Sequence, residues 1–116
     1  MRKITLHKDE SPDGGQLHLV RLAGSGAGEA TEGESCTLAQ RTTGREFTGH
    51  VLASEVKKLR ELEQSDAERL LYPPDNGLRH LRQALYDRYR FRPQWEAEET
   101  RLKLLTISVD EKAPGP

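Results

Sequence analysis

The sequence predicts one small domain of the α+β class, in which helices cover one face of a sheet. Apolar residues alternate with polar ones near the N-terminus and at 101–109, whereas the middle of the chain carries them at three- and four-residue spacing. A helix with apolar residues along one side must bury that side, and the sheet is the element that can cover it. We therefore expect a small antiparallel or mixed sheet, made of two N-terminal hairpins and a C-terminal strand, with two or three helices packed on one face.

Length and composition limit the size of the core and the kinds of partner. A chain of 116 residues with 34% hydrophobic and 32% charged residues predicts a single, thin core. We expect one domain over residues 1–110 and a disordered tail over 111–116, which offers nothing to bury. The 18 basic and 19 acidic side chains nearly cancel, so no global field attracts nucleic acid or an anionic membrane.

The first predicted hairpin joins a strand at 2–8 to an apolar run at 17–22. The turn-forming sequence SPDGG separates the two. Leu17 and Leu19 lie on one face of the second strand, and Val20 and Leu22 lie on the other. This strand is therefore either covered on both faces or shifted in register by a bulge.

The segment 24–34 contains only Gly, Ser, Ala, Thr and Glu, and we expect a mobile loop because it offers nothing to bury. A second, more polar hairpin is predicted from Ser35 to about Val51, with its turn at Thr43-Gly44. Its apolar residues are Cys36, Leu38, Phe47 and Val51.

The next segment of the sequence carries apolar residues at the spacing of a helix. Ser54 is positioned to cap a helix ending near Gln64, with its apolar side formed by Leu52, Val56, Leu59 and Leu62. Ser65 and Glu68 then form a capping box, S-x-x-E, before a short segment that ends at Pro73-Pro74.

The strongest helical pattern runs from Gly77 to about Phe91, after a predicted cap at Asp75 and before Pro93. Its apolar stripe consists of Leu78, Leu81, Leu85 and Tyr89. The run RLKLLTISV at 101–109 has apolar residues on both faces and predicts an interior strand.

No catalytic or cofactor motif is found, so we expect neither an enzyme nor a bound cofactor or metal. The glycines at 24, 26 and 28 lack the spacing of a phosphate-binding loop, since Glu29 stands where the last glycine belongs. Cys36 is predicted as an apolar strand residue, with a thiol nucleophile as the alternative. The four histidines are scattered, and acidic pairs such as Asp9-Glu10 and Glu98-Glu99 are predicted to be solvated, with a glycosidase or metal-dependent nuclease as the alternative.

The sequence also predicts a cytoplasmic location. The single cysteine cannot form an internal disulfide, the N-terminus lacks the apolar segment of a signal peptide, and no run approaches the length that crosses a bilayer.

The most informative local feature is a basic and aromatic cluster at 79–95, called the arginine patch below. Arginine forks match phosphates and carboxylates, and aromatic rings stack on bases or fill a partner's pocket. The alternative is a solvated face over Leu85 and Tyr89, neutralised by Glu96, Glu98 and Glu99. The candidate partner-binding residues are Arg79, Arg82, Tyr86, Arg88, Arg90, Arg92 and Trp95.

The C-terminal half, LRHLRQALYDRYRF at 78–91 followed by RLKLLTISVD at 101–110, resembles the small α+β segment that precedes CHAT domains, the caspase-like proteases of bacterial conflict systems. The N-terminal hairpin and FTGHVLASEVKKLRELEQ at 47–64 follow the same order. The chain has neither a His-Gly pair nor a caspase-like cysteine motif, so no catalytic residue carries over. The resemblance implies a non-catalytic module of a bacterial antiviral defence system that holds a partner, with protease activity elsewhere.

These observations predict a protein-interaction module, an adaptor, sensor or accessory subunit whose partner is another protein, such as a protease or a larger effector complex. A small nucleic-acid-binding protein that uses the arginine patch is the second hypothesis, because phosphate contacts need arginines of this kind.

Overall fold

The structure is a computed structural model that describes residues 2–7, 10, 15–24, 26–70 and 76–110. Over these residues the chain forms a five-stranded mixed sheet and two α-helices, which confirms the predicted α+β class. The strands are β1 (Arg2–Leu6), β2 (Gln16–Leu22), β3 (Ser35–Gln40), β4 (Glu46–Lys58) and β5 (Arg101–Val109), and the helices are α1 (Gln64–Arg69) and α2 (Gly77–Tyr89). Short 3-10 helices occupy Gly26–Glu29, Leu59–Glu61 and Ala97–Glu99.

The strands are ordered β1-β3-β4-β5-β2, so the first predicted hairpin is wrong. β1 and β2 have the expected alternation, but β1 pairs parallel with β3 while β2 pairs antiparallel with β5. The alternation of apolar and polar residues determines which face of a strand is buried. It does not determine which other strand pairs with it. The second predicted hairpin is confirmed, since β3 and β4 pair antiparallel and Gly44 takes a positive φ of 73° in their turn.

The sheet curls until its two outer strands approach each other. β1 and β2 are the outer strands, yet the Arg21 side chain of β2 donates from Nη2 to the carbonyl oxygen of Thr5 on β1, at 3.1 Å. The curled sheet encloses a core formed by residues of all five strands, called the strand cluster. Its members are Ile4, Leu6, Leu17, Leu19, Ala30, Cys36, Leu38, Val51, Leu105, Ile107 and Val109.

The opposite face of β2 and β5 carries a second core, the helix cluster, on which both α-helices pack. Its members are Val20, Leu22, Leu59, Leu62, Ala67, Leu81, Leu85, Tyr89, Leu102 and Leu104. β2 and β5 are therefore covered on both faces, as the sequence predicts for β5. The β2–β5 register runs without a shift from Gln16 to Leu22, so the two-sided cover of β2 needs no bulge.

The helix predicted from Ser54 to about Gln64 is wrong, because β4 continues to Lys58. Residues Ala53–Lys58 pair with β5, and Val56, assigned to a buried helical face, is 52% exposed. Only Leu59 and Leu62 of that pattern are buried. Ala, Glu and Lys favour a helix locally, but pairing with β5 supplies a partner for the backbone and overrides that preference.

The N-cap of α1 lies two residues before Ser65, the first residue of the predicted capping box. Glu63 is its N-cap, and the Asp66 carboxylate accepts the backbone N–H of Glu63 at 2.9 Å. Asp66 is only 2% exposed and also accepts from Lys57 Nζ at 2.9 Å, so it ties the end of β4 to α1. α2 is confirmed, with Asn76 at its N-cap.

Four predictions fall on segments that the structure describes only in part or not at all. Pro73-Pro74, the predicted cap Asp75 and the tail at 111–116 lie outside the described residues. In the glycine-rich segment 24–34, Gly28 and Ala30 are buried and Gly33 N–H donates to the carbonyl oxygen of Val51 at 2.7 Å. The mobility of that segment stays a prediction. None of the described helices has the length and apolar character needed to span a bilayer.

Candidate functional site

A groove of about 760 Å³ opens beside α2, bounded by the start of α1, the 3-10 helix after β4 and the segment before β5; we call it the α2 groove. Its position follows from the helix geometry. Leu81, Leu85 and Tyr89 point into the helix cluster, so the neighbouring flank of α2 faces the groove. The groove is lined by Leu59, Gln64, Asn76, Leu78, Arg79, Arg82, Gln83, Tyr86, Trp95, Ala97 and Glu98.

Two aromatic side chains form one end of the groove. The Tyr86 and Trp95 rings meet edge to face, with centroids 5.8 Å apart and planes inclined by 70°. Tyr86 is 46% exposed, whereas Trp95 packs partly against the helix cluster. Edge-to-face pairs hold aromatic rings in a fixed orientation, so a large apolar surface is already arranged before any ligand arrives.

Arg82 fastens the walls of the groove together. Its Nη1 donates to the carbonyl oxygen of Leu59 at 3.0 Å, and its Nη2 pairs with the Glu98 carboxylate. Across the groove, Gln64 Oε1 accepts the backbone N–H of Leu78 at 3.0 Å, which joins α1 to the first turn of α2. These contacts assign Arg82 a positioning role, because its charge is already neutralised by Glu98.

Arg79 places a positive charge at the rim of the groove. It is exposed on the first turn of α2, and no carboxylate of the described residues lies within ion-pair distance of it. Since Arg82 and Glu98 cancel each other, the charged side chains that line the groove leave one net positive charge. A carboxylate or phosphate is therefore favoured at this end of the groove.

The backbone is strained at two points on the groove wall. Asn76 and Ala97 have φ of 62° and 54°, and they are the non-glycine residues with positive φ in the part of the chain that the structure describes. Asparagine tolerates this conformation, whereas alanine pays about 1–2 kcal/mol for it. Backbone strain of this kind is concentrated at ligand-binding sites in proteins, so the strained turn at Ala97 is consistent with a binding site in the groove.

The arginine patch divides among different surfaces. Arg79, Arg82, Tyr86 and Trp95 lie together in the groove, and the Arg90 guanidinium stacks on the Tyr86 ring at 5.0 Å beside it. Whether these residues bind a partner stays a prediction.

The other two arginines lie elsewhere. Arg88 follows Tyr86 by two residues and so lies about 200° around the helix, away from the groove. Arg92 lines a different cavity, with Arg21 and Tyr89.

Sequence analysis missed the groove residues that come from outside the patch. Leu59, Gln64, Asn76 and Ala97 lie in other segments, and only the fold brings them to α2. Asn76-Gly77 just before a strong helical stripe is a sequence signal for a turn at the edge of the groove, because asparagine tolerates a left-handed backbone.

Cys36 is placed unfavourably for a thiol nucleophile. Cys36 lies in the strand cluster, where burial raises the pKa of its thiol, and the Glu34 and Asp110 carboxylates act in the same direction. A reactive thiol needs the opposite shift. Among the described residues, no three His, Cys, Asp or Glu side chains gather closely enough to hold a metal ion.

Comparisons of the chain with protein-family models, with curated proteins and with solved structures find no match.

Proposed function

We propose that the chain is a non-catalytic protein-interaction module that binds a short segment of another protein in the α2 groove. The observation that carries this proposal is the open apolar surface of Tyr86 and Trp95 beside Arg79, which pairs with no carboxylate of the described residues. The groove's volume of about 760 Å³ suits a few side chains of a partner.

The chemistry of the groove defines the segment that it accepts. An aromatic or branched aliphatic side chain would fill the space against Tyr86, Trp95, Leu59 and Leu78, and burial of such a side chain provides about 1.5–3 kcal/mol. An aspartate or glutamate close to it in sequence would pair with Arg79. The proposed ligand is therefore a short acidic peptide segment with one large apolar anchor.

The biological setting is a proposal drawn from the sequence. The resemblance to the segment before CHAT domains favours an adaptor or accessory subunit of a bacterial defence system, located in the cytoplasm. The partner would then be a caspase-like protease or a larger effector complex that presents the peptide.

Trp95 provides a direct test, because it is the single tryptophan of the chain and lies in the groove. A random peptide library would be selected against the folded chain, and binding of selected peptides lacking tryptophan would be followed by Trp95 emission. We expect enrichment of an apolar residue next to an acidic one. Tyr86→Ala should weaken binding by about tenfold or more, as for a central interface aromatic.

Matched controls separate the groove from the general surface. Phe91→Ala removes an aromatic side chain that is 81% exposed and lies outside the groove, so it should leave affinity unchanged. Arg79→Glu should weaken binding, whereas the same change at Arg88 should not. Selected peptides that bind Tyr86→Ala as tightly as the unaltered chain would refute the proposal.

Nucleic-acid binding is the second candidate, and Phe91 is the observation that favours it. Its exposed ring lies under the Arg90 guanidinium at 4.5 Å and next to Arg92 in sequence, an arrangement suited to base stacking. Against it, Arg82 and Arg90 are already paired with Glu98 and Asp87. Binding of single-stranded oligonucleotides that falls steeply with salt and is lost in Phe91→Ala would favour this candidate.

A further inference from the structure

β4 continues past the strand that covers its outer edge, the edge that faces away from β5. β3 pairs with β4 only over Glu46–His50. The last contacts on that side are at Val51, whose N–H donates to the carbonyl oxygen of Glu34 at 2.8 Å and whose carbonyl oxygen accepts from Gly33 at 2.7 Å. Beyond this point β4 runs over 52–58 beside β5, and no strand of the described residues pairs with its outer edge. We call this stretch the β4 edge.

Backbone groups of the β4 edge point outward at every second residue. Leu59 N–H donates to the carbonyl oxygen of the residue before β5, at 2.8 Å. Because residues of an antiparallel pair alternate between facing the partner and facing away, Ser54, Val56 and Lys58 turn their N–H and C=O groups outward. Lys58 N–H bonds to Glu61 Oε1 at 2.7 Å. An uncovered row of such groups is a template on which another strand can pair.

The side chains of the β4 edge also leave apolar surface uncovered. Leu52 and Val56 are 41% and 52% exposed. Lysines commonly keep other strands away from an open edge. Here, however, Lys57 is held by the buried Asp66 carboxylate, at 2.9 Å, so its charge is largely neutralised.

The charges of the β4 edge select one register for pairing with a second copy. Residues that face each other as hydrogen-bonded pairs must both point outward. With Ser54 opposite Val56, the two Glu55 side chains would face each other, and with Val56 opposite Lys58, the two Lys57 side chains would do so. With Val56 opposite Val56, each Glu55 faces Lys57 of the other copy. Larger shifts run into the edge that β3 already occupies or past the end of β4.

We propose that the chain forms a symmetric dimer in which the β4 edges of two copies pair antiparallel about Val56. The Val56 backbone groups exchange two hydrogen bonds on the two-fold axis, and the two five-stranded sheets become one. The two Glu55–Lys57 pairs that face each other across the new ladder stabilise it. The lining of the α2 groove comes from residues outside 52–58, so this inference is independent of peptide binding there.

The first test is sedimentation of the full chain over a wide range of concentrations. We expect a reversible dimer whose proportion rises with concentration. Val56→Lys places two ammonium groups on the axis, and Glu55→Lys places a lysine opposite each Lys57, so each variant should raise the dissociation constant about tenfold or more. Glu29→Lys makes the same charge change as Glu55→Lys at an exposed position outside the β4 edge and should leave the dissociation constant unchanged.

The second test is disulfide formation, which reads the register. In the proposed dimer the two Cα atoms at position 56 lie about 5.5 Å apart, within the range of a disulfide, so Val56→Cys should oxidise to a covalent dimer. Ser54→Cys is the matched control, because the two copies of position 54 lie four residues apart along the ladder, about 13 Å. The native Cys36 is buried. The proposal is overturned if the chain sediments as a monomer at every concentration, if either lysine variant dimerises like the unaltered chain, or if Ser54→Cys cross-links as readily as Val56→Cys.

Discussion

The guanidinium of Arg21 donates to both carboxylate oxygens of Glu10, at 2.8 Å from Nη1 and 2.7 Å from Nη2. Both side chains are largely buried, and Arg21 also donates from Nη2 to the carbonyl oxygen of Thr5. The pair thus holds the connection after β1 against β2 and joins the two outer strands of the curled sheet. Its burial makes it costly to break, because either partner alone would be left as an uncompensated charge.

Arg21→Ala should therefore lower the free energy of unfolding by about 3–5 kcal/mol, a large part of the stability of a small domain. Urea denaturation followed by circular dichroism measures this loss. Lys3→Ala is the matched control, since Lys3 pairs with Glu46 at 3.1 Å in an exposed position and should contribute at most about 1 kcal/mol. Equal losses in the two variants would show that the outer strands do not depend on Arg21.

Acid should weaken the same contact. Burial by itself raises the pKa of Glu10, but the hydrogen bonds and charge of Arg21, together with a hydrogen bond from the His7 backbone N–H and the charge of His7, outweigh it and hold the pKa below the usual 4.5. A carboxyl with a lowered native pKa contributes stability that is fully present above about pH 4.5 and is lost as pH falls through the native pKa.

Unfolding free energies measured between pH 7 and pH 3 should therefore fall less steeply for Glu10→Gln than for the unaltered chain. Some acid dependence should remain in the variant. The pKa values of Glu34 and Glu99 are also low, held there chiefly by hydrogen bonds from a backbone amide and from a lysine. Identical pH dependence in the variant would count against the role of Glu10.

Ala97→Gly should be neutral or stabilise the chain by up to about 1 kcal/mol. Glycine removes the cost of a positive φ at this position and adds a smaller entropic cost in the unfolded chain. Ala84→Gly in the middle of α2 is the control and should destabilise by about 1 kcal/mol, since glycine disfavours a helix interior. Thermal denaturation distinguishes the opposite signs, and a similar loss in both variants would argue against strain at Ala97.

Gly28→Ala tests how firmly the glycine-rich segment is held. A Cβ at Gly28 would overlap the carbonyl oxygen of Leu22, so β2 or the 3-10 helix must move. We expect a loss of about 1–3 kcal/mol in unfolding free energy, typical of overpacking. Glu32→Ala, at an exposed position of the same segment, should change it by less than about 0.5 kcal/mol. If Gly28→Ala leaves the free energy of unfolding unchanged, that result would support the predicted mobile loop.

Sequence reasoning succeeded where local pattern and tertiary packing agree. The stripe of α2 and the two-sided apolar run of β5 appear in the structure as predicted. It failed at 54–58, where helix-favouring residues pair with β5, and at β1, where the partner strand lies beyond the next strand in sequence. Strand pairing is a long-range choice that residue periodicity does not encode.

The candidate site was predictable only within the stretch 79–95. Arg79, Arg82, Tyr86 and Trp95 belong to one stretch of sequence, and their chemistry alone indicates recognition. The facing wall comes from Leu59 and Gln64, whose approach to α2 depends on where β4 ends. A helix in place of the last part of β4 would have put Leu59 on a different surface, so the groove depends on the part of the fold that the sequence predicted wrongly.

β2 is synthesised early but finds its partner only when β5 emerges, since Gln16 pairs with Ser108 and Leu22 with Leu102. On the ribosome, β2 must wait until β5 has been synthesised, with both of its edges open and its apolar residues unburied. Pairings between such distant segments form slowly and leave the nascent chain prone to aggregation. The yield of folded protein would then depend more on whether a chaperone shields β2 during translation than on the stability of the finished domain.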